Sequence, residues 1–182
     1  PLGAPTAPPE RMINAVTDPM TGANRELSHL LTGPDSDACW ARTAKEFGRL
    51  TQGVMPQMPT ETETMRFIKH TDVPSDREAT YARFVCDERP LKTETKRVRI
   101  TVGGDKIDYP GKVATPTAEL VTVKCLFNSV ISTPGAKCLS ADAKDFYLGT
   151  PMERPEFMRI PIKMVPQVII DQYNLLPLVH NR

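Results

Sequence analysis

Apolar positions first fall into a regular pattern at residue 35. Trp40, Ala44, Phe47 and Leu50 recur at helical spacing, with Asp35, Ser36 or Asp37 available as N-cap and Gly53 as a stop. This predicts a helix of about four turns, with Glu46 and Arg49 on its wetter side. Residues 54–63 read as loop. Thr64 to Lys69 and Tyr81 to Asp87 are two short strand candidates. The clearest strand is Lys96 to Val102, where Val98, Ile100 and Val102 alternate with Arg97, Arg99 and Thr101. Gly103-Gly104-Asp105 follows as a turn, because glycine reaches the positive φ that hairpin turns require.

A second helix is expected from Thr115 as N-cap and Pro116 at the first helical position, through Leu120, Val123, Phe127 and Val130, to about Ser132. Pro134-Gly135 breaks it. Residues 137–142 then read as a short, partly buried strand ending at Asp142, and Phe157 to Ile160 as another. Pro166 to Leu175 has the partial apolar face of a final helix in Val168, Ile169 and Tyr173. Residues 1–34 carry Pro, Gly, Thr and Asp without periodicity and read as a linker or poorly ordered lead-in, leaving 35–182 as the folded domain. Strands and helices mix without a βαβ rhythm, so the fold class expected is α+β.

Composition changes this picture little. With 182 residues, 40% hydrophobic and 25% charged, the chain can bury a real core. Its 18 prolines concentrate before residue 60 and after residue 150, where irregular structure is expected. A net charge of +1 neither demands nor excludes a nucleic-acid partner, because phosphate binding depends on where basic residues cluster. Cys39, Cys86, Cys125 and Cys138 are far apart and form no CxxC pair, which argues against structural zinc. No apolar run is long enough to span a bilayer and no signal peptide precedes the domain, so an intracellular setting with free thiols is expected. Pro1 and Arg182 read as cuts in a longer reading frame or polyprotein.

The segment that could carry chemistry is Leu139 to Gly149. It brings Asp142 to a strand end, a second carboxylate at Asp145, and an aromatic at Tyr147. Phosphoryl transfer needs carboxylates that hold Mg²⁺, and magnesium keeps most of its octahedron for phosphate and water, so few protein ligands suffice. On spacing alone such a pair is more often solvated or capping, and Asp145 serves equally well as a cap of the turn.

Four pieces in order give the segment more weight. They are Arg97-Val98-Arg99-Ile100-Thr101-Val102-Gly103-Gly104, then Gly104-Asp105-Lys106-Ile107-Asp108-Tyr109, then the helix Thr117 to Lys124, and last Ala141 to Leu148 with Pro151 to Met158. Together with Trp40, Glu46 and Leu50 upstream, they resemble the reverse transcriptase of copia-type retrotransposons over about four fifths of the chain. The resemblance implies the fingers and first palm strand of a right-hand polymerase fold, the two-metal chemistry of an RNA-directed DNA polymerase, and Mg²⁺ as cofactor. It also implies as partners an RNA or DNA template-primer, deoxynucleoside triphosphates, and the remaining palm, thumb and ribonuclease H segments of a polyprotein.

Carried over residue by residue, the resemblance makes Asp142 the first metal-binding aspartate, with the Ala143 carbonyl on the same metal. It puts Asp145 near the incoming triphosphate. Tyr147 becomes the aromatic under the sugar, although it is equally a core or rim aromatic. Arg99 reaches the triphosphate, and Lys96 and Arg97 contact nucleic acid. The family's Tyr-x-Asp-Asp hairpin does not occur in these 182 residues. The fragment alone is therefore expected to be inactive. The alternative is a non-catalytic element remnant that acts at most as a nucleic-acid or protein interaction module.

Overall fold

The computed structural model describes residues 16, 18, 20–23, 25–56, 58, 62–89, 93–111 and 117–180. They form a mixed α+β structure: α1 (Leu27–Leu30), α2 (Ser36–Leu50), β1 (Thr80–Glu88), β2 (Lys96–Val102), α3 (Leu120–Ser132), β3 (Met158–Arg159) and α4 (Gln167–Gln172). The chain divides into two compact units, Pro1–Ile107 with Met152–Arg182, and Asp108–Pro151.

In the first unit the sheet order is β2-β1-β3. β1 and β2 pair antiparallel, with Val85 opposite Arg99 and Asp87 opposite Arg97, while β3 runs parallel to β1 with Tyr81 opposite Arg159. β2 has the predicted bounds, and Val98 and Ile100 are buried as the alternation requires, whereas Val102 is exposed. The hairpin forms back onto β1, not forward over Gly103-Gly104-Asp105, which make a 3₁₀ turn. Gly103 has φ −68°, so its backbone does not need glycine. Its side is the reason instead: a Cβ there would lie 2.6 Å from the Tyr81 ring and 2.9 Å from Thr80 Oγ1. Thr80 Oγ1 donates to the Gly103 carbonyl at 2.7 Å, closing the same contact.

α2 packs on this sheet through Phe47, which is fully buried and lies beside the rings of Phe67 and Phe84. Its C-terminal turn is held by α4. Tyr173 Oη meets Thr51 Oγ1 at 2.9 Å, accepts the Gln52 N–H at 3.1 Å and donates to the Gly53 carbonyl at 2.7 Å. The helix ends at Leu50 with Thr51 as its C-cap, and Gly53, expected as the stop, takes its positive φ of 94° two residues later. The stretch expected as a strand at Thr64–Lys69 is in neither helix nor strand. Its backbone bonds go to the end of α2 instead, Met65 N–H to the Leu50 carbonyl at 2.8 Å.

Two expectations are corrected here. Glu46 is 4% exposed, not on a wet face, because α2 turns that side toward the edge of β2. Arg49 donates two hydrogen bonds to its carboxylate, from Nη2 at 2.7 Å and Nε at 2.8 Å, and the Ile100 N–H adds a third at 3.3 Å. The boundary at residue 34 also does not mark the edge of the core, since Leu27 and Leu31 are buried against Cys39 and Val98.

In the second unit α3 begins at Leu120, with Glu119 at its N-cap, and buries none of its residues. The expected cap Thr115 and Pro116 lie outside the described residues. Gly135, with φ 76°, follows the helix where the Pro-Gly break was expected. The strand expected at 137–142 is absent: residues 136–143 are exposed and in neither helix nor strand. A strand is stable only when a neighbour satisfies its backbone groups and one face is covered. The described residues of this unit contain no β-strand that could serve as that neighbour. The first palm strand is thus not formed.

Candidate functional site

Strand alternation sets the first group. Arg97 and Arg99 project on the side of β2 opposite Val98 and Ile100. Arg99 is exposed, and its Nε lies 3.2 Å from Asp87 Oδ2 on the neighbouring strand. Arg97 has its guanidinium pKa lowered, first by partial burial and then by repulsion from Arg99, partly offset by Glu46. Lys96 alternates to the other side and its Nζ sits 2.9 Å from Asp35 Oδ2. That hydrogen bond holds the Asp35 carboxyl below its ordinary range. Strand β2 therefore offers two guanidiniums on one face and commits its lysine elsewhere.

The second group lies in the 108–151 unit. Asp142 and Ala143 are exposed on irregular backbone. Asp145 sits at φ 53°, a left-handed conformation that aspartate tolerates better than most residues. It does stand at a turn start, but through its main chain: its carbonyl accepts the N–H groups of Leu148 at 2.9 Å and Gly149 at 3.3 Å. Its carboxylate lies 3.8 Å from Lys144 Nζ. Tyr147 is 76% exposed and meets Phe146 edge-on, with ring centroids 5.4 Å apart. Arg97 and Arg99 share one face of β2, Asp142, Ala143, Asp145 and Tyr147 are neighbours in sequence only, and the two groups fall in different units.

Among the described residues no three His, Cys, Asp or Glu side chains gather as a metal cage. The oxygen donors Asp142 and Ala143 suit magnesium in chemistry, but they are fewer than a closed site needs. One apolar cleft of about 540 Å³ lies beside Trp40 and α4, and none of the candidate residues lines it.

The partner of Arg99 was missed in the sequence. Asp87 was readable only once β1 and β2 were known to pair, because cross-strand partners depend on register. No protein-family model matches the chain, and neither a curated protein nor a solved structure matches it. No helix of the described residues is long and apolar enough to cross a membrane.

Proposed function

We propose that this chain is the fingers and opening palm segment of a copia-type retrotransposon reverse transcriptase, an intracellular RNA-directed DNA polymerase. The observation that carries the reading is the order of the four motifs along the chain. The arginine segment among them takes the strand bounds, Lys96–Val102, that the alternation predicts. The rest of the right-hand fold, the second carboxylate pair and the thumb would come from polyprotein segments beyond the motifs present here.

In the complete enzyme the primer 3′-hydroxyl oxygen attacks the α-phosphorus of a deoxynucleoside triphosphate. A new P–O bond forms, pyrophosphate leaves, and the hydroxyl proton passes to solvent. Magnesium, when bound, offsets the negative charge that develops on the phosphoryl oxygens. Asp142 and the Ala143 carbonyl would hold it. Arg99 would leave Asp87 and donate its planar fork to the triphosphate, a geometry that lysine lacks. Tyr147 would lie under the sugar and exclude a 2′-hydroxyl by bulk. The Asp142 segment would become a strand when the rest of the palm sheet supplies its neighbour.

The test is magnesium-dependent primer extension by the polymerase that contains this chain, compared with its Asp142→Asn variant. Loss of extension supports the reading. Equal activity in the two rejects it and leaves the non-catalytic interaction module.

A further inference from the structure

We infer that α3 is a self-association element, through which three or four copies of this chain assemble as a parallel coil. The inference goes beyond the polymerase reading and does not rest on it, so the assembly test and the primer-extension test fail independently.

The helix runs from Leu120 to Ser132 and buries none of its residues. Leu120, Leu126, Phe127 and Ile131 are each more than half exposed, and Val123 and Val130 are half-buried. At about 3.6 residues per turn these six side chains fall within an arc of about 140°. An apolar stripe that wide, left open to water on a regular helix, marks an interaction surface.

The order of the positions says what covers the stripe. Leu120, Val123, Phe127 and Val130 alternate three and four residues apart, the a and d positions of two heptads. Leu126 and Ile131 then fall at g and e, on either side of that seam. The outward positions hold Thr122, Cys125, Asn128, Ser129 and Ser132, and Val121 is the one larger apolar residue among them.

Charge complementarity selects a copy of the same chain as the partner. The first heptad supplies one charge of each sign, Glu119 at g and Lys124 at e. In a parallel coil a g residue meets the e residue five positions further along the neighbouring chain, which is the separation of Glu119 and Lys124. In an antiparallel coil g meets g and e meets e, and neither charge gains an opposite partner. Glu119 is held in register by the helical ladder, since its carbonyl accepts the Val123 N–H at 3.1 Å. Both side chains are exposed, and among the described residues neither takes part in an ion pair.

The seam also sets the number of strands. β-branched residues at a with leucine at d favour pairs. Here leucine and phenylalanine stand at a and valine at d, the reverse arrangement, which favours three or four strands. Leu126 and Ile131 widen the stripe beyond a two-stranded seam in the same sense. Two heptads make a small contact, so the assembly is reversible and depends on concentration.

The experiment is sedimentation equilibrium of the 182-residue chain at about 10 and about 500 µM. The mass is expected to rise with concentration to three or four times that of one chain. Phe127→Glu should hold it at one copy throughout. It should leave the urea unfolding midpoint of the first unit unchanged, because α3 lies outside that unit. Lys124→Glu sets like charges against each other at every neighbour contact, and should raise the concentration of half-assembly by on the order of tenfold. Adding Glu119→Lys to it should recover most of that loss. Leu139→Glu, at an exposed apolar residue of the same unit outside the helix, should assemble as the parent does. A parent chain that stays at one or two copies, a Phe127→Glu chain that still assembles, equal loss in Leu139→Glu, or no recovery in E119K/K124E would overturn the inference.

Discussion

Replacing Glu46 with alanine should be among the most damaging single changes in the first unit. The side chains of Glu46 and Arg49 are 5% and 18% exposed, and the carboxylate satisfies the guanidinium twice and the Ile100 N–H once. Breaking a buried ion pair from one side costs about 3–5 kcal/mol, chiefly because the remaining charge is left uncompensated. Arg49 retains some hydration, which places E46A near the low end, about 3 kcal/mol. Glu46→Gln keeps one acceptor oxygen but loses the charge, and should cost about 1.5–2 kcal/mol. At a urea m-value of about 2 kcal/mol/M, E46A should lower the unfolding midpoint by about 1.5 M. The Ile100 amide faces the free edge of β2, so its hydrogen exchange should accelerate in E46A more than that of its neighbours. In E46A/R49A the cost should be well below the sum of the two single changes, because the stranded charge is gone. An E46A protein within about 0.5 kcal/mol of the parent, with Ile100 exchange unchanged, would refute the reasoning.

Three further outcomes follow from the same geometry. Gly103→Ala should destabilise by about 1–3 kcal/mol in urea titration through overpacking against Tyr81 and Thr80, although its φ of −68° suits alanine. If it proves neutral, the close approach is not what demands glycine. Tyr173→Phe removes a hydroxyl that joins α4 to Thr51, Gln52 and Gly53, and should cost about 1–2 kcal/mol by thermal melt, where no change would show the contacts to be incidental. Burial pushes the Cys86 thiol from its ordinary 9.0 up to about 11, with Cys39 and Asp87 adding to the shift. About one thiol in a thousand is then ionised at pH 8. Iodoacetamide should label Cys86 at least ~100-fold more slowly than the exposed Cys125 and Cys138, and comparable rates by mass spectrometry would contradict this burial. Because the folded pKa lies above the unfolded one, this thiol's contribution to stability is present below about pH 9 and lost as pH rises toward 11.

Local patterns were legible where one face alone is buried. β2 was readable to the residue because Val98 and Ile100 go inward while Arg97 and Arg99 go outward. α2 was readable from the stripe through Ala44, Phe47 and Leu50. Glu46 was misread because α2 is covered by the edge of a strand as well as by the apolar core, and helical periodicity marks only the apolar contact. Gly103 was legible as a required glycine, but for a turn it does not make. Its actual reason, the ring of Tyr81, lies across a strand pairing that sequence spacing does not record. Within the candidate site, the guanidinium pair was legible and its carboxylate partner was not. The strand expected at 137–142 failed for a related reason: alternation can mark a strand, but only a neighbour can hold one.

The most direct measurement is the single-turnover rate of nucleotide incorporation by the polymerase that contains this chain, in three forms. Asp142→Asn should reduce the rate by roughly 10³-fold or more, the loss of about 4 kcal/mol of transition-state stabilisation. Asp145→Asn should reduce it less than about tenfold, since Asp145 shapes its turn through the main-chain carbonyl and asparagine tolerates the same φ of 53°. Incorporation by Asp142→Asn at the parent rate, or a larger loss in Asp145→Asn, would contradict the assignment of Asp142 as the carboxylate that holds the metal.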